Sequence, residues 1–182
     1  MDHKDHIRLL NDGIPSPGGI WAELGSGRGA FTLALAELIG PLGRIYSVDK
    51  NKTALQDQAR VIQKRFPSDQ PKIQYFNTDY TLPLSLPQLN GVVIANSLHF
   101  HQDKTAVLEL IHDYLLPRGC LILVEYNSDQ GNTWVPYPVS FSSWRSIAAK
   151  VGFERTRLLE RVTSSFMGEI YSAISYKIEI RQ

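Results

Sequence analysis

The sequence has almost no cysteine. Cys120 stands alone, so no disulfide can close within the chain. It lies in the apolar run CLILVE, which reads as a buried strand position rather than a reactive thiol. Long apolar runs are also missing. No stretch approaches the ~20 residues a membrane-spanning helix needs, and the opening MDHKDHIRLL has no core of signal-peptide length. A cytoplasmic location with no membrane partner is expected. Charge of one sign is missing too: 19 Lys and Arg face 18 Asp and Glu, a formal net charge of +1. A dedicated nucleic-acid binder usually carries a basic bias, so nucleic acid is not an expected partner. No repeat, linker or low-complexity segment breaks the chain.

What remains is ordinary globular material, 43% apolar and 20% charged over 182 residues. That length fits one domain with one sizeable core, spanning 1–182. Residues 3–11 predict a short amphipathic helix with Ile7, Leu9 and Leu10 apolar, and NDGIPSPGG then breaks the pattern. Residues 1–17 are therefore a helix and loop that could serve as a lid. Strands are expected at IWAEL (20–24), RIYSVD (44–49), KIQYFN (72–77), GVVIAN (91–96) and CLILVEY (120–126). Helices should follow after the glycine turn, with Phe31, Leu35 and Leu38 on one face, then at 51–66, at 103–116 and from Ser140 to Val151, stopped in turn by Gly40-Pro41, Pro67, Pro117 and Gly152. Two further strands, at about 153–161 and 169–180, close the chain; the last alternates Ile170, Ile174, Tyr176, Ile178 and Ile180. Strands alternating with helices give an α/β three-layer sandwich with a mostly parallel sheet. The last two strands have no helix between them. They must form a hairpin, which makes the last of seven strands antiparallel.

In open parallel sheets a ligand sits beyond the carboxyl ends of the strands. The residues found there are polar in five successive strands. The first strand ends in Glu23 and the turn ELGSGRGAFT, with Gly25, Gly27 and Gly29 on alternate positions. This satisfies G-x-G-x-G and, with Ala30, the looser dinucleotide pattern G-x-G-x-x-A. The second ends in Asp49 and Lys50, the third in Asp79 and Tyr80, the fourth in Asn96, Ser97, His99 and His101, the fifth in Glu125 and Tyr126. Glycines let the backbone approach a ligand. A carboxylate at Asp49 suits the two hydroxyls of a ribose. Asp79 can accept from an exocyclic amine, and Tyr80 can pack on a base.

The segments ELGSGRG, SVDKN, NTDY, ANSLHF and LLPRGCLILVEY, in this order and spacing, resemble the class I S-adenosylmethionine-dependent methyltransferases. The resemblance is strongest to their small-molecule branch (methyltransferase type 11, UbiE-like) and covers roughly 18–180. It implies a Rossmann-like fold in which strand seven inserts antiparallel between strands five and six. It also implies that Glu23, Gly25, Ser26 and Gly27 surround the methionine moiety of S-adenosylmethionine. Asp49, with Lys50 beside it, would hold the ribose; Asp79 and Tyr80 would hold the adenine, and Asn96 would lie beside the sulfonium. S-adenosylhomocysteine would be the product. The chain departs from the common pattern at Asn90-Gly91, where Phe-Asp is frequent, and at Ser26 and Arg28, where Cys and Thr are.

Methyl transfer from a sulfonium needs alignment more than a catalytic triad, and the chain shows no triad. Candidate substrate-side residues are Asn96, His99, His101, Tyr126 and Tyr137, one of the histidines being available to take a proton. A metal would need a third ligand besides His99 and His101, such as Asp103, His112 or Glu125, and none is expected. Two other readings stand beside this one. An NAD-dependent oxidoreductase would use the Ala30 form of the turn, but leaves Asp79 without a role. A non-catalytic cofactor-binding protein would keep the fold alone. The segment ANSLHF is not the Asn-Pro-Pro-aromatic motif of many base and glutamine methyltransferases, which points to a small-molecule methyl acceptor.

Overall fold

The apolar runs pair side by side into one sheet. The computed structural model describes residues 1–68 and 71–178. Its strands are β1 (Ile20–Leu24), β2 (Arg44–Asp49), β3 (Lys72–Asn77), β4 (Leu89–Ala95), β5 (Leu115–Tyr126), β6 (Phe153–Ser164) and β7 (Gly168–Lys177). Its helices are α1 (His3–Asn11), α2 (Ala30–Ile39), α3 (Lys52–Arg65), α4 (Thr105–Tyr114) and α5 (Phe141–Lys150), with a 3₁₀ turn at Leu98–Phe100. The seven strands run in the order β3-β2-β1-β4-β5-β7-β6. β1 to β5 are mutually parallel, and β7 is antiparallel to both β5 and β6. The expected Rossmann-like sandwich with its reversed strand is what forms.

Helices cover both faces, which is why the central strands are apolar at almost every position. On one face Trp21, Ile45, Val93, Ile122 and Val124 meet Leu9 and Leu10 of α1 and Phe31, Leu35 and Ile39 of α2. On the other, Leu24, Val92, Ile94, Leu121 and Leu123 meet Leu108 and Ile111 of α4 and Trp144 of α5. Cys120 is buried within the sheet, and burial pushes its thiol up to about 12.

Caps set several boundaries. Asp2 and Asp5 form a capping box at the start of α1, Asn51 accepts from the Ala54 N–H at α3, and Ser140 accepts from Ser143 at α5. Other boundaries differ from the sequence pattern. β5 begins at Leu115 rather than Cys120, because Leu115 pairs with Leu89 before a register shift that brings Cys120 opposite Gly91. Pro117 is accommodated in that irregular stretch, where Arg118 takes a φ of 64°. α4 begins at Thr105, with the Asp103 carboxylate receiving the Thr105 N–H at 2.8 Å. β7 ends at Lys177; Ile178 lies beyond it and is exposed, and Ile180 lies outside the described residues. The strand is buried on both faces, Ile170 and Ile174 on one and Tyr171 and Ala173 on the other, since it sits between two neighbours rather than at an edge.

The first helix packs against α2 and β6. Leu9 and Leu10 are both 0% exposed, the His6 ring stands edge-on to Phe31 at 4.7 Å, and Arg8 pairs with Glu160 at 3.1 Å. A segment so placed contributes to the core. Leu10→Ala should therefore cost about 2–5 kcal/mol in urea unfolding, the range for truncating a buried leucine. A loss below about 1 kcal/mol, typical of a surface site, would show that α1 is not part of the folding unit.

Candidate functional site

The glycine turn is held against β2 by backbone and side chain together. The Gly25 and Ser26 N–H groups both donate to the Val48 carbonyl, at 2.9 and 3.0 Å. The Gly27 N–H donates to Asp49 Oδ2 at 2.7 Å, while Asp49 Oδ1 accepts from the Asn51 N–H at 2.7 Å. Glycine is required for space at one position of the turn and leaves space open at another. At Gly25 (φ 73°) an added Cβ would lie 2.5 Å from Ser97 Oγ. At Gly27 (φ 53°) an added Cβ would meet nothing within 4 Å and would project into open space. Beneath the turn, Ser26, Ser47 and Gln58 form a buried hydrogen-bonded set, with Ser47 Oγ donating to Ser26 Oγ at 2.8 Å and Gln58 Nε2 to Ser47 Oγ at 3.0 Å. Glu23 is buried as well and bonds to the Thr32 hydroxyl of α2.

A cavity of about 290 Å³ opens above the turn, lined by Gly25, Gly27, Asp49, Lys50, Asp79, Tyr80, Asn96, Ser97, Phe100 and His101. Asp79 accepts from the backbone and hydroxyl of Thr81 at 3.0 and 2.8 Å, which holds its carboxyl below the usual range. Tyr80 donates to the Ser97 carbonyl at 2.9 Å, and its oxygen also lies 2.8 Å from His101 Nε2. Burial pushes the Tyr80 phenol up to about 12 and draws the His101 imidazole down. With the tyrosine proton on Ser97, His101 must be the donor in the second bond. Asn96 adopts a left-handed φ of 49° and gives its N–H to the Val124 carbonyl at 2.9 Å. Its side-chain Oδ1 is buried with no hydrogen-bond partner. A buried acceptor left unpaired at a cavity wall suits a ligand that donates to it.

His99 lies behind this wall. Its Nδ1 stands 2.9 and 3.0 Å from the two oxygens of Glu125, a residue at the carboxyl end of β5. The two side chains are 4% and 0% exposed. The neighbouring loop is tied down by Lys104, whose ammonium donates to the carbonyls of His101 (2.8 Å) and Tyr137 (3.0 Å), and burial draws that lysine down. Tyr137 in turn gives its N–H to the His99 carbonyl at 3.0 Å.

The sequence-selected residues thus separate into groups. Gly25, Gly27, Asp49, Lys50, Asp79, Tyr80, Asn96 and His101 come together around one cavity. The side chains of Glu23 and Ser26 do not line it; they are sealed below the turn, because both point into the packing between β1, β2 and the helices. His99, Tyr126 and Tyr137 are not part of its wall, and no residue of α1 lines it. Phe100 lines it with no sequence signal to mark it, Ser97 lines it as one of the strand-end polar residues, and Glu125, a strand end and a nominated third metal ligand, proves to be the partner of His99. A strand-end polar run flags such residues, but partnership across strands is not visible in one dimension. Among the described residues no group of three or more metal-binding side chains stands together. No helix among them is long and apolar enough to cross a membrane.

Residues 22–121 match the family described as "Methyltransferase domain", and the chain belongs to that family. A 58-residue stretch is 36% identical to ribosomal RNA small subunit methyltransferase H from Paracidovorax citrulli, covering 32% of this chain but only 19% of that protein. Among solved structures, the fold superposes on the 1,6-didemethyltoxoflavin-N1-methyltransferase of Burkholderia thailandensis with a TM-score of 0.77 at 17% identity, covering 97% of this chain and 78% of that one. It superposes on the N-methyltransferase NodS of Bradyrhizobium japonicum WM9, in complex with S-adenosylhomocysteine, with a TM-score of 0.73 at 20% identity, covering 97% and 86%.

The buried Glu23 makes stability depend on pH. Burial pushes its carboxyl up to about 8, the Asp49 charge adding to this and the Thr32 hydrogen bond opposing it. In the unfolded chain a glutamate ionises near 4.5. Between those values folding takes up a proton. Stability from this group is therefore undiminished below about pH 4.5, falls as pH rises through the window, and levels off above about pH 8. Glu23→Gln cannot ionise and should flatten that part of the profile. Urea unfolding of both proteins at about pH 5 and about pH 8 checks it, and identical slopes would remove Glu23 as the cause.

Proposed function

We propose that the chain is an S-adenosylmethionine-dependent methyltransferase whose acceptor is a small molecule. The observation that carries the reading is the cavity wall itself: an open Gly27, two carboxylates at adjacent strand ends, and the unpaired Asn96 oxygen on the far side. Asp49 uses one lone pair of each oxygen on the chain and keeps the others for ribose hydroxyls. Asp79 stands where it can accept from the adenine amine, with Tyr80 and His101 as the adjoining wall. Gly25 and Gly27 leave room for the methionine portion, and Asn96 accepts from it or from the acceptor. When bound, the cofactor supplies an electrophilic methyl carbon. Tyr126 and Tyr137 belong to the acceptor side, and His99 is the group available to take a proton there. A cytoplasmic location accords with this reading.

An NAD-dependent oxidoreductase would not give Asp79 this use, and membership of the methyltransferase family favours the present reading. Titration calorimetry separates the two: S-adenosylhomocysteine should bind and NAD should not, and the opposite result would sink the proposal. Gly27→Val should abolish binding, because the branched side chain enters the open space. Asp49→Ala should weaken it by ~1.5–3 kcal/mol, the scale of hydrogen bonds to a charged group. His101→Ala should weaken binding as well, whereas His99→Ala should leave it nearly intact and lower turnover ~10²–10⁴-fold if His99 is the base.

The small-molecule acceptor is supported by the near-neutral charge and by the ANSLHF segment. The ribosomal RNA enzyme shares too short a stretch with this chain to carry its substrate across. Incubation with labelled S-adenosylmethionine and either total RNA or a small-metabolite extract should place the label in the metabolites. Salt-sensitive labelling of RNA alone would overturn the assignment.

A further inference from the structure

Alone among the lysines and arginines of the described residues, Lys104 is buried, at 7% exposed. An ammonium out of water is costly unless it is paired. Among the described residues no carboxylate forms an ion pair with it; Glu125 and Asp103 act on it only through space. Its partners are two backbone carbonyls, that of His101 at 2.8 Å and that of Tyr137 at 3.0 Å. A methionine of similar length would fill the same space without that cost. We infer that Lys104 is a positioning residue for methyl transfer. It joins the turn that walls the cofactor cavity to the loop on the acceptor side, so that a seated cofactor sets the acceptor loop in place. This rests on the methyltransferase reading above.

The two carbonyls belong to different parts of the site. His101 ends the turn after β4, and Asn96, Ser97, Phe100 and His101 of that turn all line the cavity. Tyr137 belongs to the loop 127–139 between β5 and α5. That loop is fixed on its far side. Asn127 bonds to Glu169 of β7 through its side chain at 2.6 Å and its backbone at 3.0 Å, and the Val139 carbonyl accepts the Tyr171 hydroxyl at 2.9 Å. Its middle, 129–134, is exposed. Toward the cavity, its hydrogen bonds among the described residues are that of the Tyr137 carbonyl to Lys104 and that of the Tyr137 N–H to the His99 carbonyl, at 3.0 Å each. Lys104 stands on a firm post. Its own carbonyl accepts the Leu108 N–H at 3.0 Å in the first turn of α4, where Leu108 and Ile111 are fully buried. An ammonium carries three donors, so it can hold two carbonyls at once where a hydroxyl would hold one.

A ligand in the cavity acts on the turn directly. It touches the lining residues of the turn and can supply the donor that the buried Asn96 Oδ1 lacks. Asn96 also sits at a φ of 49°, which a side chain adopts at a cost, so bonds added there resist local opening of the turn. When the turn shifts, the His101 carbonyl draws the ammonium with it and the bond to Tyr137 weakens. When a ligand fixes the turn, the ammonium stays aimed at Tyr137 and the loop stays down. The coupling is reciprocal, so an ordered loop also favours retention of the cofactor. The acceptor then meets a loop already in place, which serves the alignment that in-line transfer needs.

Hydrogen exchange read by mass spectrometry, with and without S-adenosylhomocysteine, tests this with no acceptor present. In the wild type the ligand should slow exchange in 23–29 and 96–101, and in 129–139 by about tenfold, within the usual range of coupling between sites. In Lys104→Met, calorimetry should still show binding and 23–29 should still be protected. The effect of the ligand on 129–139 should fall there to about twofold or less. Equal protection of the loop in both proteins, an unprotected loop in the wild type, or loss of binding in Lys104→Met would each overturn the inference. A wild-type measurement covers the case in which Lys104→Met does not fold. Acylation of the Lys104 amine by an acetyl N-hydroxysuccinimide ester should slow with S-adenosylhomocysteine in parallel with exchange in the loop. Acylation indifferent to the ligand would overturn the inference as well. Absence of S-adenosylhomocysteine binding in the wild type would instead defeat the broader methyltransferase reading, which separates the two failures.

Discussion

The carboxylate of Asp49 joins the glycine turn to the head of α3. One oxygen receives the N–H of Gly27 in the glycine turn; the other receives the N–H of Asn51 at the head of α3. Both bonds are charge-assisted and short, and therefore among the stronger kind. They fix the turn against the end of β2, where Val48 already accepts from Gly25 and Ser26. The floor of the cavity is defined by this latch. Asp49 thus acts in the architecture of the site before it meets any ligand, and its remaining lone pairs point where a ribose belongs in the proposed reading.

Beneath the latch the chain keeps its polar groups satisfied without charge. Ser26, Ser47 and Gln58 bond to one another, and Glu23 to Thr32, in a layer closed to solvent. Burial raises the Glu23 carboxyl to about 8, which disfavours a second negative charge below Asp49. Above the latch the opposite holds: Asp79 is held ionised by Thr81 and faces the open cavity. Asp79 at the rim and Glu23 below are thus moved in opposite directions by their surroundings.

The two histidines after β4 show the same dependence on neighbours. His101 bonds to the Tyr80 phenol and lines the cavity; His99, two positions earlier, turns to Glu125 behind it. The 3₁₀ turn at Leu98–Phe100 separates their directions. Lys104 and Tyr137 hold the surrounding backbone, so the arrangement is fixed by carbonyl contacts that carry no sequence signature.

The α/β order, the reversed final strand and the positions at which polar residues cap the strands are all legible along the chain. These follow from local periodicity and from turn chemistry at Gly25, Gly27, Asn51 and Ser140, which act over a few residues. The sequence also marked Asp49, Asp79, Tyr80 and Asn96, because the carboxyl end of a parallel sheet gathers whatever each strand carries there. Which of those side chains face the cavity follows from packing in three dimensions. Glu23 and Ser26 turned inward because strand pairing and helix packing set their directions. Only that packing revealed that Leu9 and Leu10 make α1 part of the core, that β7 is covered on both faces, and that Glu125 meets His99 from the adjacent strand. Such pairings depend on strand order and register, and register is set by the packed sheet as a whole.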